Sequence, residues 1–239
     1  MLTYLLIDFF SFIFPFLFSF ETKMVNFRKY WKPLVFALLI QYVFMISWDH
    51  LFTVMNVWSF SKDYTIGFDV WEMPIEEHIF FLAIPYSCFF IYEILNKYVK
   101  DYLKSFSLVI SLLLVAVFVL IIWNYYDKLY TATASLLSLY LLLNHILVFR
   151  SHKRYLGRFY MAYLVVLIPF FIVNGLLTSL PVVMYNATSN IGIRIWTIPI
   201  EDFIYNFFML LLIATVYESL KKKFGLSQYP KDLKKEEVV

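Results

Sequence analysis

Seven long apolar runs leave this chain few ways to fold. They lie at about residues 2–20, 34–55, 74–95, 106–123, 129–149, 159–183 and 199–220. Each approaches the roughly 20 residues that a helix needs to cross a hydrocarbon core. The runs are continuous rather than alternating, which argues for helices and against the strands of a barrel. The 239-residue chain is 62% hydrophobic with a mean hydropathy of +0.73, too apolar for a soluble domain with a polar surface. The sequence therefore predicts an all-α integral membrane protein with seven transmembrane helices.

The charges between the runs alternate. Lys23, Arg28, Lys29 and Lys32 follow the first run; Lys97, Lys100 and Lys104 follow the third. Arg150, Lys153, Arg154 and Arg158 follow the fifth, and Lys221, Lys222 and Lys223 close the seventh. The intervening loops hold only Lys62 beside Asp63 and Asp69, Lys128 beside Asp127, and Arg194. The positive-inside rule then places the N-terminus outside and the C-terminus in the cytoplasm of a cell membrane. The net charge of +3 comes mostly from these short loops and the tail, so it reads as an orientation signal, not as nucleic-acid binding. The first ten residues carry Asp8 and no positive charge, and no small-residue cleavage site follows, so the first run reads as a retained span. Residues 224–239 read as a polar, mobile cytoplasmic tail.

Cofactor chemistry finds little support. The five glycines stand at positions 67, 157, 175, 192 and 225, and no dinucleotide or phosphate loop can be built from them. Cys88 has no partner cysteine, and four scattered histidines do not suggest a metal site. The expected cofactor and metal content is none.

A second feature organises the rest. Trp71-Glu72-Met73-Pro74-Ile75-Glu76-Glu77 recurs as Trp196-Thr197-Ile198-Pro199-Ile200-Glu201-Asp202, at an offset of 125 residues. The offset holds without a gap from Ile66-Gly67, matching Ile191-Gly192, to Tyr92-Glu93 and Lys97, matching Tyr217-Glu218 and Lys222. The chain is thus an internal duplication around a Pro-x-Glu-Glu/Asp motif. Each copy holds three runs. An odd number would invert the second copy, and the unmatched fourth run restores it. The expected plan is 3+1+3: a first three-helix repeat at 1–104, a linker helix at 105–127 and a second repeat at 128–223, the repeats parallel with a site at their interface.

A charge at the mouth of an apolar span is expensive and invites a functional reading. Proline in the first helical position and Glu in the first turn are also ordinary features of helix N-termini. A cap, however, requires neither the preceding Trp nor the same spacing twice. Adjacent carboxylates point about 100° apart on a helix, so neither pair can face one spot alone. Across a pseudo-two-fold axis Glu76 and Glu201 could face each other, and two like charges at close range cannot both ionise. Asp49, aligned with Asn174, sits near the same level, and Trp71, Trp196, Phe80, Phe81 and Tyr205 could stabilise a cation through their rings. His78 follows the first pair of acids but is Phe203 in the second copy.

Repeated Pro-x-Glu-Glu/Asp motifs opening spans of a small seven-helix chain resemble the membrane-integral carotenoid (lycopene) cyclase family in its fused form. The resemblance covers about residues 1–223. It implies Glu76, Glu77, Glu201 and Asp202 as catalytic acids, with Pro74 and Pro199 as the structural part of the motif. It implies redox-neutral formation of ionone-type rings on a linear carotenoid without flavin. An acid protonates the terminal double bond, a neighbouring double bond captures the cation, and a base removes a proton. The implied partners are a lipophilic carotenoid, the bilayer and other enzymes of carotenoid synthesis, with no nucleic acid. The alternative is a SWEET-like 3+1+3 transporter of small solutes, weakened by the absence of a proline motif in the first helix of each copy. A retinal photoreceptor is excluded because residues 199–220 contain no lysine, and a polyprenyl transferase because paired Asp-rich motifs are absent.

Overall fold

Seven α-helices form the protein, described here from a computed structural model over residues 2–23 and 25–226. They are α1 (Thr3–Phe18), α2 (Trp31–Val54), α3 (Ile75–Tyr98), α4 (Ser107–Tyr125), α5 (Leu129–Leu147), α6 (Leu156–Ser179) and α7 (Ile200–Lys223). In hydrocarbon every backbone donor and acceptor needs an internal partner, and a helix supplies one along its whole length. Six of the seven are long and apolar enough to cross a bilayer. The exception is α1, whose 16 residues rise about 24 Å against a core of roughly 30 Å. This corrects the expectation of seven full spans. The expected tail at 224–239 falls largely outside the described residues.

Large apolar side chains cover the outside of the bundle. On α1 they include Phe9, Phe10 and Phe14, and on α4 Leu112, Leu113 and Leu120. That is the surface lipid requires, and it accounts for the mean hydropathy. The face that α4 turns inward is small and polar over its first turns, at Ser107 and Ser111, and carries Phe118 farther along. Ser111 shares a 2.6 Å hydrogen bond with the Tyr160 hydroxyl, and Ser107 donates to the His152 carbonyl at 2.9 Å. Small hydroxyl residues let helices approach closely and bond across the interface.

The two copies exchange partners. Helix α2 packs on α7, and its counterpart α6 packs on α3. At one end the strand β1 (Trp58–Phe60) pairs antiparallel with β4 (Val183–Tyr185). The register sets Trp58 opposite Tyr185, Ser59 opposite Met184 and Phe60 opposite Val183. With the 125-residue offset, Ser59 faces its own counterpart and the flanking pairs are exchanged. That is the signature of an isologous two-fold contact. The sequence argues only against barrel strands as the spanning elements. These short pieces form where the chain leaves the helices and its backbone groups need new partners.

The opposite end is closed by charge. Glu93 accepts from Tyr217 Oη at 2.9 Å, and Glu218 accepts from Tyr92 Oη at 2.9 Å. Lys221 donates to both, at 2.6 Å to Glu93 and 3.1 Å to Glu218. Here the C-terminal halves of α3 and α7 are fastened together.

Candidate active site

Each Pro-x-Glu-Glu/Asp motif is built the same way. A hairpin of β2 (Asp69–Val70) and β3 (Met73–Pro74) leads into α3, and one of β5 (Arg194–Ile195) and β6 (Ile198–Pro199) leads into α7. Pro74 and Pro199 are extended N-cap residues, with ψ of 146° and 142°, so the helices begin one residue later than the sequence reading placed them. Two-residue hairpin loops favour positive φ, which Trp71 (49°), Glu72 (61°) and Trp196 (59°) adopt without being glycine. Such a residue costs about 1–2 kcal/mol, so the surroundings must hold the turn. One clamp is visible at Gly175, where an added Cβ would lie 2.2 Å from the Trp196 ring.

The first acid of each pair anchors a loop. Glu76 Oε1 accepts from the Ile66 backbone N–H at 2.7 Å, and Glu201 Oε1 from that of Ile191 at 2.9 Å. Thr131 Oγ1 adds a third contact, to Glu201 at 2.5 Å. Both carboxyls are fully buried, and neither lines the cavity described next. The structure thus sets Glu76 and Glu201, which the sequence offers as a facing pair, on their own loops rather than on the cavity. A loop whose amides lack ladder partners draws these acids away from it.

The second acids converge. Glu77 and Asp202 line one cavity of about 200 Å³ between the two copies, together with Asp49, Phe80, Phe81 and Tyr205. That volume is an order of magnitude above what one water needs. The walls are otherwise mostly aromatic and aliphatic. Trp71 and Trp196 do not line it; they are 60% and 67% exposed on the outer rim. The expected cation-lining pair thus stands on the two hairpins, apart from the cavity.

Three phenols that the sequence reading missed hold the acids. Tyr4 donates to Glu77. Tyr130 donates to Asp202 Oδ1 at 2.7 Å and Tyr185 to Oδ2 at 2.7 Å. Burial, and next the Asp202 carboxylate, push the Tyr185 phenol well above its ordinary range, so it remains a donor. Tyr4 and Tyr130 occupy equivalent places: their backbone N–H groups bond to the carbonyls of Tyr64 and Ser189, a matched pair. In sequence they stand 126 residues apart, one more than the general offset, and this slip hid the equivalence.

The two halves of the site also differ. Tyr185 stands where the first copy has Phe60, and Asn174 faces the cavity opposite Asp49. Among the described residues Asp49 Oδ2, Trp58 Nε1 and the Tyr205 hydroxyl have no hydrogen-bond partner. His78 lies outside the cavity. Its Nε2 donates to the Val70 carbonyl at 3.0 Å, which leaves Nδ1 to accept from Tyr42 Oη at 2.8 Å. With both nitrogens engaged, His78 braces the first hairpin. Among the described residues no three acidic, His or Cys side chains gather as a metal would require.

This arrangement can give a proton to an apolar molecule and take one from it, in a chamber walled by rings. Residues 1–95 and 127–220 match the family described as Lycopene cyclase. A 73-residue segment is 36% identical to a bifunctional lycopene cyclase/phytoene synthase of Colletotrichum graminicola, covering 30% of this chain and 12% of that protein. A 64-residue segment is 30% identical to a bifunctional lycopene cyclase/phytoene synthase of Gibberella fujikuroi, covering 27% of this chain and 11% of that protein. The matched segments thus span about an eighth or less of those relatives. No solved structure matches the chain. The family match runs over both copies of the motif and most of the chain, and the protein belongs to the lycopene cyclase family.

Proposed function

We propose that the protein cyclises the end of a linear carotenoid such as lycopene, without flavin, using Glu77 and Asp202 as its acid and base. One carboxyl gives a proton to the terminal double bond. The next double bond closes the six-membered ring onto the resulting cation, and the other carboxylate removes a ring proton. One proton enters and one leaves, so the product is an isomer of the substrate and no electron carrier is consumed. The observation that carries this reading is the meeting of Glu77 and Asp202 on one apolar cavity. Aromatic walls favour the cation through their faces and keep water from trapping it.

Glu76 and Glu201, which the motif also offers as acids, act in this reading through the loops they anchor. The tyrosines orient the reacting carboxyls. The two copies act as parallel three-helix repeats with α4 as the connector, and their exchanged packing supports that plan. The alternating loop charges support an outside N-terminus. Other enzymes of carotenoid synthesis are the natural partners, since they would deliver an equally insoluble substrate. The transporter alternative loses support from the family match.

The test is expression in a lycopene-producing host with pigment chromatography. Glu77→Gln and Asp202→Asn should each lower ring formation by roughly 100- to 10,000-fold, the range for loss of a general acid or base. Full ring formation in either inserted variant would refute the assignment.

A further inference from the structure

A two-fold duplication should create two equivalent lanes leading to the central cavity, and the two copies treat theirs differently. The cavity continues along a single stripe of α3, from Glu77 through Ile84 and Cys88 to Ile91. These positions share one helix face, and the stripe is about 21 Å long at 1.5 Å per residue. Pro15 of α1 and Val166, Pro169 and Val173 of α6 form the other walls. Pro15 cannot donate to the Ser11 carbonyl, and the Ser87 hydroxyl does so instead at 2.8 Å, fastening α1 to α3 beside the lane.

The counterpart lane between α2, α5 and α7 is filled. Val173 corresponds to Trp48, Leu177 to Phe52, Pro169 to Phe44 and Ala83 to Phe208. These four rings pack against one another. Trp48 lies 5.6 Å from Phe52 and 5.8 Å from Phe208, and Phe44 lies 5.4 Å from Phe208. The Trp48 ring also lies 4.7 Å from that of Tyr205, which lines the cavity. Trp48 is 6% exposed, whereas Val173 is half-buried on the open side.

We propose that the α1–α3–α6 lane holds the polyene chain of the substrate while its end group sits at Glu77 and Asp202, and that the Phe44–Trp48–Phe52–Phe208 cluster closes the second lane. The occupant follows from continuity. The lane is one space with the acid-bearing cavity, its walls are apolar and it is far longer than a ring. It rests on the cyclase reading given above. Each chain then offers one site, and a molecule with two reactive ends presents them in separate binding events.

Cys88, the single cysteine, lies in this lane and reports on it directly. Purified full-length protein in lipid vesicles would be treated with a membrane-permeant maleimide, with and without lycopene. Lycopene should slow labelling of Cys88 in the wild type and equally in Glu77→Gln, which binds without turnover. Ile91→Trp, at the far end of the lane, should cut cyclisation of lycopene by roughly 10- to 100-fold, the rate equivalent of overpacking a filled site. A truncated polyene with the same end group, too short to reach Ile91, should still be cyclised by that variant. Cyclisation without protection of Cys88, or equal effects of Ile91→Trp on long and short substrates, would overturn the lane while leaving the cyclase reading intact. Neither cyclisation nor protection would overturn both.

Discussion

Removing Lys221 should reveal how the two third helices are held together. Its ammonium lies 2.6 Å from Glu93 and 3.1 Å from Glu218, and the side chains are only 3% exposed. Lys221→Met would take away the ammonium that two buried carboxylates share, while Tyr217 and Asn96 still donate to Glu93 and Tyr92 still donates to Glu218. Breaking a buried ion pair by removing one partner costs about 3–5 kcal/mol, most of it from the charge left behind. At about 2–4 °C per kcal/mol for a chain of this size, the midpoint of thermal unfolding should fall by roughly 6–20 °C. The triple variant Lys221→Met, Glu93→Gln, Glu218→Gln isolates the cause. Tyr92 and Tyr217 keep an amide oxygen to donate to, and the three charges of this cluster are removed together. Most of the lost stability should return. The assay is thermal unfolding in detergent, followed by circular dichroism on all variants in parallel. A triple variant as unstable as Lys221→Met would show that the lysine acts through packing, and the charge argument would fail.

Three further outcomes follow from the site. Glu76→Ala strands the Ile66 amide and should cost about 1–3 kcal/mol, whereas Glu76→Gln keeps the acceptor and should lose less; equal losses in thermal unfolding would remove the anchoring role. Tyr130→Phe and Tyr185→Phe each take one donor from Asp202, worth about 1.5–3 kcal/mol, so ring formation should drop roughly 10- to 100-fold, and unchanged pigment yields would refute their orienting role. Gly157→Ala would bring a Cβ within 2.8 Å of the backbone at Leu103 and Lys104, and overpacking of about 1–3 kcal/mol should appear as a lower unfolding midpoint.

The helical bundle was legible because lipid restricts the backbone to so few solutions. Hydropathy located the runs, and the ungapped offset located the motif. What remained hidden was hidden for definite reasons. The hairpins are too short to show an alternating pattern against so apolar a background. Tyr4, Tyr130 and Tyr185 are three of 19 tyrosines, and nothing local separates a phenol on a carboxylate from one in packing. The roles within each acid pair depend on which face the helix turns to its neighbour. A 100° step decides that, and the sequence contains the step without the neighbour. Trp71 and Trp196 stand apart from the cavity because a motif residue close to an acid in sequence can lie on the far side of a turn.

Symmetry and chemistry pull against each other in such a duplicated site. Parts that serve the scaffold recur in both copies. Ile66 bonds to Glu76 as Ile191 bonds to Glu201, and Tyr92 reaches Glu218 as Tyr217 reaches Glu93. Two identical carboxyls can already differ by one proton, but unlike surroundings decide which of them keeps it. The copies diverge around the second acid of each pair. Glu77 faces the shorter Asp202, one phenol serves Glu77 while two serve Asp202, and Asp49 stands opposite Asn174. The divergence continues beyond the acids, where one lane is left open and its twin is filled with rings. In a single chain each half can change without the other, so the fold keeps its paired scaffold while the cavity between the copies becomes one-sided.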